Sequence, residues 1–297
     1  CIGVNDCAES VKGYITNELG KLNKLDIDCF VTDSVDLDGS TSVICTLNRV
    51  EKSTPEYDEL VLSVSNGLAD YIIEQYEEKL ILRIINSNYC YFNSIEKKEI
   101  LKLALLIIKN DDKNFLSSLY QIRRRNIIIR KLIEYFESSD KVILDGFVNF
   151  RLKDYVKDLE EIVDKAVDDF LTEREYKEFI RLLRYFVDIQ EPKFNVIHVL
   201  VDYDSKYILL DEHKREITNE CIQEFMNDIP EGEISFDDLL VSSLITMAPK
   251  KVVIHSAKSF RNKELLETIK NVFWGKAIIC PDCELCLVNV ARSEKKS

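Results

Sequence analysis

Apolar residues recur three and four positions apart through most of the stretch between residues 54 and 190, which is the spacing of amphipathic helices. Val148, Leu152, Tyr155 and Leu159 form the clearest stripe. The pattern predicts a short helix near the start of the chain and five more after it, over about residues 6–20, 54–85, 94–108, 114–137, 147–170 and 173–190.

Residues that favour helix ends mark three of these boundaries. Thr54 is followed by Pro55, so a threonine cap precedes a proline at the first helical position. Thr172 and the acid three positions later have the spacing of a capping box, so a new helix is expected to begin at Thr172. The pair Asp145-Gly146 is expected to precede the helix that carries the Val148 stripe.

Strand-like segments lie at both ends of the helical block. Near the start, apolar residues alternate over about residues 27–31 and 43–47, and the connection ends in the turn pair Asp38-Gly39. Near the end, the β-branched run 196–201 predicts a buried strand. A second strand is expected to return from it over about residues 207–210.

A strand–helix–strand order follows in the last part of the chain. Apolar segments over about residues 251–255 and 276–280 enclose an amphipathic helix, and this order predicts a parallel strand pair. The fold class is therefore expected to be α+β and predominantly helical, with small α/β units at the two ends of a helical middle. We expect two domains, residues 1–190 and 191–297.

The composition narrows the classes of function. The net charge is -13 and the pI is about 4.9, so broad electrostatic binding to phosphate backbones or anionic lipid is not expected. No apolar run reaches the length of a membrane span, and the first residues lack the pattern of a signal peptide. Nine cysteines, an odd number, do not indicate a disulfide framework, and a reducing cytoplasm is the expected location.

The sharpest chemical motif lies near the C-terminus. Cys280, Cys283 and Cys286 form two overlapping Cys-x-x-Cys steps, which bring three sulfurs within reach of one zinc ion or an iron–sulfur cluster. If strands 251–255 and 276–280 are parallel neighbours, His255 and Cys280 meet at one sheet edge, so His255 is the candidate fourth ligand. A thiol or redox role, or cysteines that only pack, are the alternatives.

A basic cluster lies between residues 123 and 131 of a predicted helix. Arg123, Arg124, Arg125, Arg130 and Lys131 could contact phosphates or an acidic partner. Pairing with carboxylates of the same acidic chain is the simpler interpretation, and nucleic-acid binding is not expected.

Acidic residues near the strand pair 196–210 suggest an alternative function. Carboxylates at strand ends, here Asp202, Asp204, Asp211 and Glu212, can hold a divalent metal for phosphoester hydrolysis, as in a nuclease. No complete catalytic set accompanies them, so an enzymatic role is uncertain and not favoured. His198 alternates with apolar strand residues and is expected to be a hydrogen-bonded histidine of the sheet.

Two segments resemble a known family. The segment 145–155, which reads DGFVNFRLKDY, is similar to the signature of the YtxC-like family of putative sporulation proteins, and the stretch 261–273 is similar as well. The resemblance implies a cytoplasmic role in sporulation and no particular reaction. A non-enzymatic protein that interacts with another protein or regulates it is therefore the first hypothesis.

The signature itself predicts two helical surfaces. One holds the Val148 stripe with Tyr155, and the other holds Phe147, Phe150, Arg151 and Asp154. The second surface could bind a partner, or the helix could be buried on all sides. The candidate interaction residues are Asp145, Gly146, Phe147, Phe150, Arg151, Lys153 and Tyr155.

Overall fold

The computed structural model describes residues 1–4, 8–22, 29–35, 41–47, 54–110, 115–201, 207–218 and 236–286. The fold is α+β and predominantly helical, as the sequence predicts. The chain divides into two compact units, residues 1–172 and 173–297. The domain boundary near residue 190 stays a prediction, and the turn predicted at Asp38-Gly39 lies outside the described residues.

The first unit contains a four-stranded sheet of order β2-β3-β1-β4, formed by β1 (Ile2–Val4), β2 (Cys29–Val35), β3 (Thr41–Leu47) and β4 (Val142–Ile143). The predicted pair β2 and β3 is antiparallel, whereas β1 runs antiparallel to β3 and parallel to β4. The sequence did not predict β1 or β4, because strands of three and two residues are too short to show alternation.

Six helices of the described chain account for the rest of this unit and the start of the next. They are α1 (Ala8–Leu22), α2 (Pro55–Asn88), α3 (Ser94–Asn110), α4 (Phe115–Ser138), α5 (Leu144–Arg151) and α6 (Lys153–Ile189). Pro55 occupies the start of α2, as predicted. Asn93 caps α3, because its Oδ1 accepts hydrogen bonds from the backbone N–H groups of Ile95 and Glu96.

Two predicted helix boundaries are wrong. No helix begins at Thr172, because α6 continues through it without a glycine or proline that would interrupt the hydrogen-bonded backbone. Asp145 and Gly146 do not precede a helix but lie inside α5, and the chain breaks instead at Leu152, between α5 and α6.

Each unit has its own hydrophobic core. In the first unit, buried residues of α1, α2, α3, α4 and α6 pack together, with Ile2 and Val43 covering them from the sheet. In the second unit, residues of the C-terminal half of α6 pack with a second sheet and two further helices. These cores bury much of the stripes read from the sequence, but the predicted inward residues Ile122, Tyr176 and Phe179 are exposed.

The second sheet has the order β6-β5-β7-β8, with β5 (Val196–Val201), β6 (Tyr207–Leu210), β7 (Lys251–Ile254) and β8 (Ala277–Ile279). Strand β6 is antiparallel to β5, whereas β5, β7 and β8 are parallel. Helices α7 (Phe236–Met247) and α8 (Lys263–Val272) precede β7 and β8. The strand–helix–strand unit with a parallel pair agrees with the prediction.

Candidate metal centre

The parallel pairing of β7 and β8 brings His255 and Cys280 to one edge of the second sheet. Ile254 and Ile279, the last residues of β7 and β8, lie opposite each other. His255 and Cys280 are therefore the first residues after the carboxyl ends of these strands. The backbone still holds both positions. The N–H of His255 donates to the carbonyl oxygen of Val199 at 2.9 Å, and the N–H of Cys280 donates to that of Ile254 at 2.8 Å. The two candidate ligands are thus anchored to the sheet.

The segment that follows β8 turns back and delivers the other two cysteines. Asp282 has a φ of 103°, in the left-handed region that few residues except glycine adopt, and a short helical turn covers residues 284–286. As a result, Cys283 and Cys286 both face His255 Nδ1, with Sγ atoms 3.4 Å and 3.5 Å from it. The structure therefore brings together the four residues that the sequence singled out.

The spacing of the four ligand atoms matches one tetrahedral ion. All of them lie within 4.8 Å of one another. Cys286 Sγ is 3.9 Å from Cys283 Sγ and 3.8 Å from Cys280 Sγ. Around tetrahedral zinc, two thiolates lie about 3.8 Å apart, and a thiolate and an imidazole nitrogen about 3.6 Å apart, given Zn–S and Zn–N bonds of about 2.3 and 2.0–2.1 Å.

Backbone and hydroxyl groups surround the sulfur of Cys286. Burial raises the pKa of Cys286, but hydrogen bonds from the backbone of Cys283 and from the hydroxyl and backbone of Ser256 lower it below the ordinary thiol pKa. Ser256 has a φ of 48°, again in the left-handed region. For Cys280, burial and the neighbouring thiols raise the pKa to about 11. One thiol of the cluster is thus prepared for ionisation, whereas another would need a cation to lose its proton.

A second histidine lies behind His255. Nδ1 of His198, on β5, is 2.9 Å from Nε2 of His255, and the two rings are tilted by 36°. Burial is the main reason that the pKa of each imidazole lies below its usual value, and Lys214 lowers both further. Both rings are therefore neutral near pH 7, which leaves His255 Nδ1 able to act as a ligand. The expected hydrogen bond of His198 is present, but its partner could not be read from the strand pattern alone.

The basic cluster of α4 does not form a patch. Arg124 is buried against Glu77, and Arg125 pairs with Asp70 through Nε at 2.6 Å. Three further contacts pair the basic residues within the chain. They are ion pairs of Arg123 with Asp158 and of Lys131 with Glu134, and a hydrogen bond from Arg125 to Asn66. The helix spreads the charges around its axis, so most of them meet carboxylates of the same chain.

Two of the four acidic residues of the nuclease alternative have local roles. Asp211 Oδ1 accepts hydrogen bonds from the backbone N–H groups of His213 and Arg215, and Glu212 accepts hydrogen bonds from the backbone and side-chain amides of Asn195. Asp211 thus holds the turn after β6, and Glu212 ties that turn to the residue before β5. Asp202 and Asp204 lie outside the described residues, and nothing in the described part of the chain supports the nuclease alternative.

The signature residues separate into a buried and an exposed set. Phe147 is buried in edge-to-face contact with Tyr135, Tyr155 is buried in the core, and Asp145 accepts a hydrogen bond from the Tyr76 hydroxyl at 2.8 Å. Phe150 is 73% exposed. Gly146 is half-buried with open space around it, and Lys153 is exposed.

The exposed set borders a groove of the first unit. Arg151 lies over the ring of Tyr135, with its guanidinium carbon 5.7 Å from the ring centre. Phe150, Arg151 and Lys153 line the groove together with residues of α4, and its volume is about 420 Å³. Phe150 lies on the exposed side of α5, so this helix is not buried on all sides.

The fold and the cluster define a predominantly helical α+β protein with a candidate metal centre in its C-terminal α/β unit. The sequence profile of the YtxC-like family matches residues 62–278, and the chain belongs to that family. It is 26% identical over 237 residues to the "Uncharacterized protein YtxC" of Bacillus subtilis (strain 168), covering 78% of this chain and 81% of that protein. No solved structure matches the chain significantly.

The family match covers the two histidines of the site but not its three cysteines. It includes the segment 145–155 that carries the resemblance, and it includes His198 and His255. The three cysteines lie just beyond its end at residue 278.

Among the described helices, none is both long and apolar enough to cross a membrane.

Proposed function

We propose that the second unit binds one zinc ion through His255, Cys280, Cys283 and Cys286, and that this ion has a structural role. The observation that carries the proposal is the set of ligand distances, 3.4–3.5 Å between nitrogen and sulfur and 3.8–3.9 Å between sulfurs. A Cys₃His set supplies all four positions of tetrahedral zinc, and a complete set is the mark of structural rather than catalytic sites.

The same distances favour a single ion over an iron–sulfur cluster or a disulfide. An iron–sulfur cluster distributes its ligands over several irons, which separates them further than ligands that share one ion. A disulfide needs sulfurs about 2.05 Å apart, whereas the Sγ atoms of Cys280 and Cys286 are 3.8 Å apart and both cysteines are free. The favoured occupant is therefore a single soft divalent ion.

The ion would close the second unit at the carboxyl edge of its sheet. Two ligands directly follow β7 and β8, and the other two lie on the segment 283–286, which also hydrogen-bonds to Ser256. Binding therefore ties the end of the described chain to the sheet, and binding free energy adds to the stability of the unit.

A role for the whole protein can be inferred from the structural zinc site and from the family. We infer a non-enzymatic protein that acts through its surfaces in sporulation, inside the cytoplasm, with a protein partner. The sporulation setting is what the resemblance of segment 145–155 implies. A surface suited to a partner is the groove beside Phe150 and Arg151, where an aromatic ring is exposed next to a cation.

Metal analysis of the full chain without a histidine tag tests the zinc site. We expect about one equivalent of zinc, and its loss in Cys283→Ser and Cys286→Ser, because each removes one ligand from the tetrahedron. Cys90→Ser is the matched control, since Cys90 is an exposed cysteine of the first unit. Less than about half an equivalent in the wild-type chain, or equal zinc in Cys283→Ser and Cys90→Ser, would reject the site.

A genetic experiment tests the surface. The double variant Phe150→Ala with Arg151→Ala should fold normally but reduce the number of heat-resistant spores in the organism that encodes the chain. Ile95→Ala is the control, because Ile95 is equally exposed on α3 of the same unit. Normal spore counts in the double variant would contradict this part of the proposal.

A further inference from the structure

The geometry points to His198 as a positioning residue for the proposed zinc site: it accepts a hydrogen bond from His255 and thereby directs Nδ1 of His255 toward the metal. This inference rests on the proposed function and deepens it. His198 lies on β5, two strands away from Cys280, and the strand pattern gives no sign that it belongs to the site.

The position of the proton on each imidazole ring determines which histidine donates the hydrogen bond. Nδ1 of His255 faces the sulfurs of Cys283 and Cys286, so a metal bound there takes its lone pair, and the ring proton must sit on Nε2. Nε2 of His255 is 2.9 Å from Nδ1 of His198. One of these two nitrogens must donate and the other accept, so Nδ1 of His198 is the acceptor.

The backbone fixes the relative position of the two rings. His198 lies opposite Val253 in the parallel register of β5 and β7, and His255 follows two residues later with its N–H bonded to Val199. The partner ring is therefore held by the sheet and not by a mobile loop. Metal-bound histidines generally have such a partner on their second nitrogen, and its loss typically lowers metal affinity about 10–100-fold.

An isosteric pair of variants isolates the acceptor. In His198→Asn, Oδ1 occupies the place of Nδ1 and can accept the same hydrogen bond, whereas His198→Leu puts a methyl group there. We expect His198→Leu to bind zinc about 10–100-fold more weakly than wild type and His198→Asn to recover most of that loss, in competition with a chromophoric chelator. Zinc alone is the probe, and the full chain is used.

A spectroscopic measurement on the wild-type chain gives an independent reading. Long-range proton–nitrogen correlation of histidine-labelled protein loaded with zinc should show His255 protonated on Nε2 and His198 unprotonated on Nδ1. If metal is bound to Nε2 of His255, or if His198→Leu binds zinc as tightly as wild type, the inference is overturned. Absence of zinc binding in the wild-type chain would reject the site itself, and the inference with it.

Discussion

The hydroxyl of Tyr155 donates a hydrogen bond of 2.6 Å to Oε2 of Glu77 in the interior of the first unit. Nη1 of Arg124 lies 3.5 Å from the same oxygen, and all three side chains are buried. The contact joins α2, α4 and α6, which are far apart in sequence. A charged carboxylate can be buried there because a cation and a hydroxyl both approach it.

Loss of Arg124 should destabilise the first unit strongly. Arg124→Met leaves the carboxylate of Glu77 buried without its cation, and we expect the free energy of unfolding to fall by about 3–5 kcal/mol. Arg130→Met on the exposed side of the same helix should change it by less than about 0.5 kcal/mol. Urea unfolding followed by circular dichroism at 222 nm measures both, and equal effects would contradict the predicted role of the buried pair.

The same tyrosine should make stability depend on alkaline pH. Burial, and then the carboxylate of Glu77, raise the pKa of Tyr155 far above its usual value of 10.0. Above about pH 10 the unfolded chain therefore releases a proton that the folded chain keeps, and the free energy of unfolding falls by up to about 1.4 kcal/mol per pH unit. Below about pH 10 this contribution is fully present.

Tyr155→Phe removes this source of pH dependence. Between about pH 10 and 11, the slope of its unfolding free energy against pH should be shallower than that of wild type by up to the same amount. The other tyrosines contribute equally to both proteins and cancel in the difference. Urea unfolding at several pH values gives the two slopes, and identical slopes would show that Tyr155 ionises as freely when folded as when unfolded.

Replacing two helical glycines by alanine should change the free energy of unfolding in opposite directions. A Cβ atom on Gly67 of α2 would lie 3.0 Å from the carbonyl oxygen of Tyr14 and 3.1 Å from Cα of Ile15, both backbone atoms of α1. Gly67→Ala should therefore cost about 1–3 kcal/mol by forcing the helices apart. Gly13→Ala meets nothing within 4 Å and should stabilise by about 0.5–1 kcal/mol through helix propensity. Thermal unfolding measures both, and a neutral Gly67→Ala would refute the close approach.

Removal of the metal should lower the thermal stability of the second unit and leave that of the first unchanged. Trp274, the single tryptophan of the chain, lies in that unit, whereas most of the helix signal at 222 nm comes from the first. A strong chelator should lower the midpoint of the fluorescence transition by several degrees, because bound zinc stabilises only the folded state. The transition at 222 nm should keep its main midpoint, since each unit has its own core. A fluorescence midpoint that chelator leaves unchanged would contradict the structural role of the metal.

Local sequence signals were sufficient where they described one element at a time. The stripe through Tyr155 and Leu159 predicted the buried face of α6, and Pro55 predicted the start of α2. The same signals failed at Thr172, where the spacing of a cap occurs inside a continuous helix. A capping pattern starts a helix only if the backbone before it leaves the helical conformation, and no residue there forces it to do so.

The sequence by itself determined the fold class, the spacing of the three cysteines and, through strand order, the candidacy of His255. Periodicity and spacing act over a few residues, so the chain order alone carries them. Only the tertiary structure decided that His198 faces Nε2 of His255, and that Glu77, Arg124 and Tyr155 meet in the first unit. These contacts join residues 47–78 positions apart, and they depend on how elements pack, which no local pattern records.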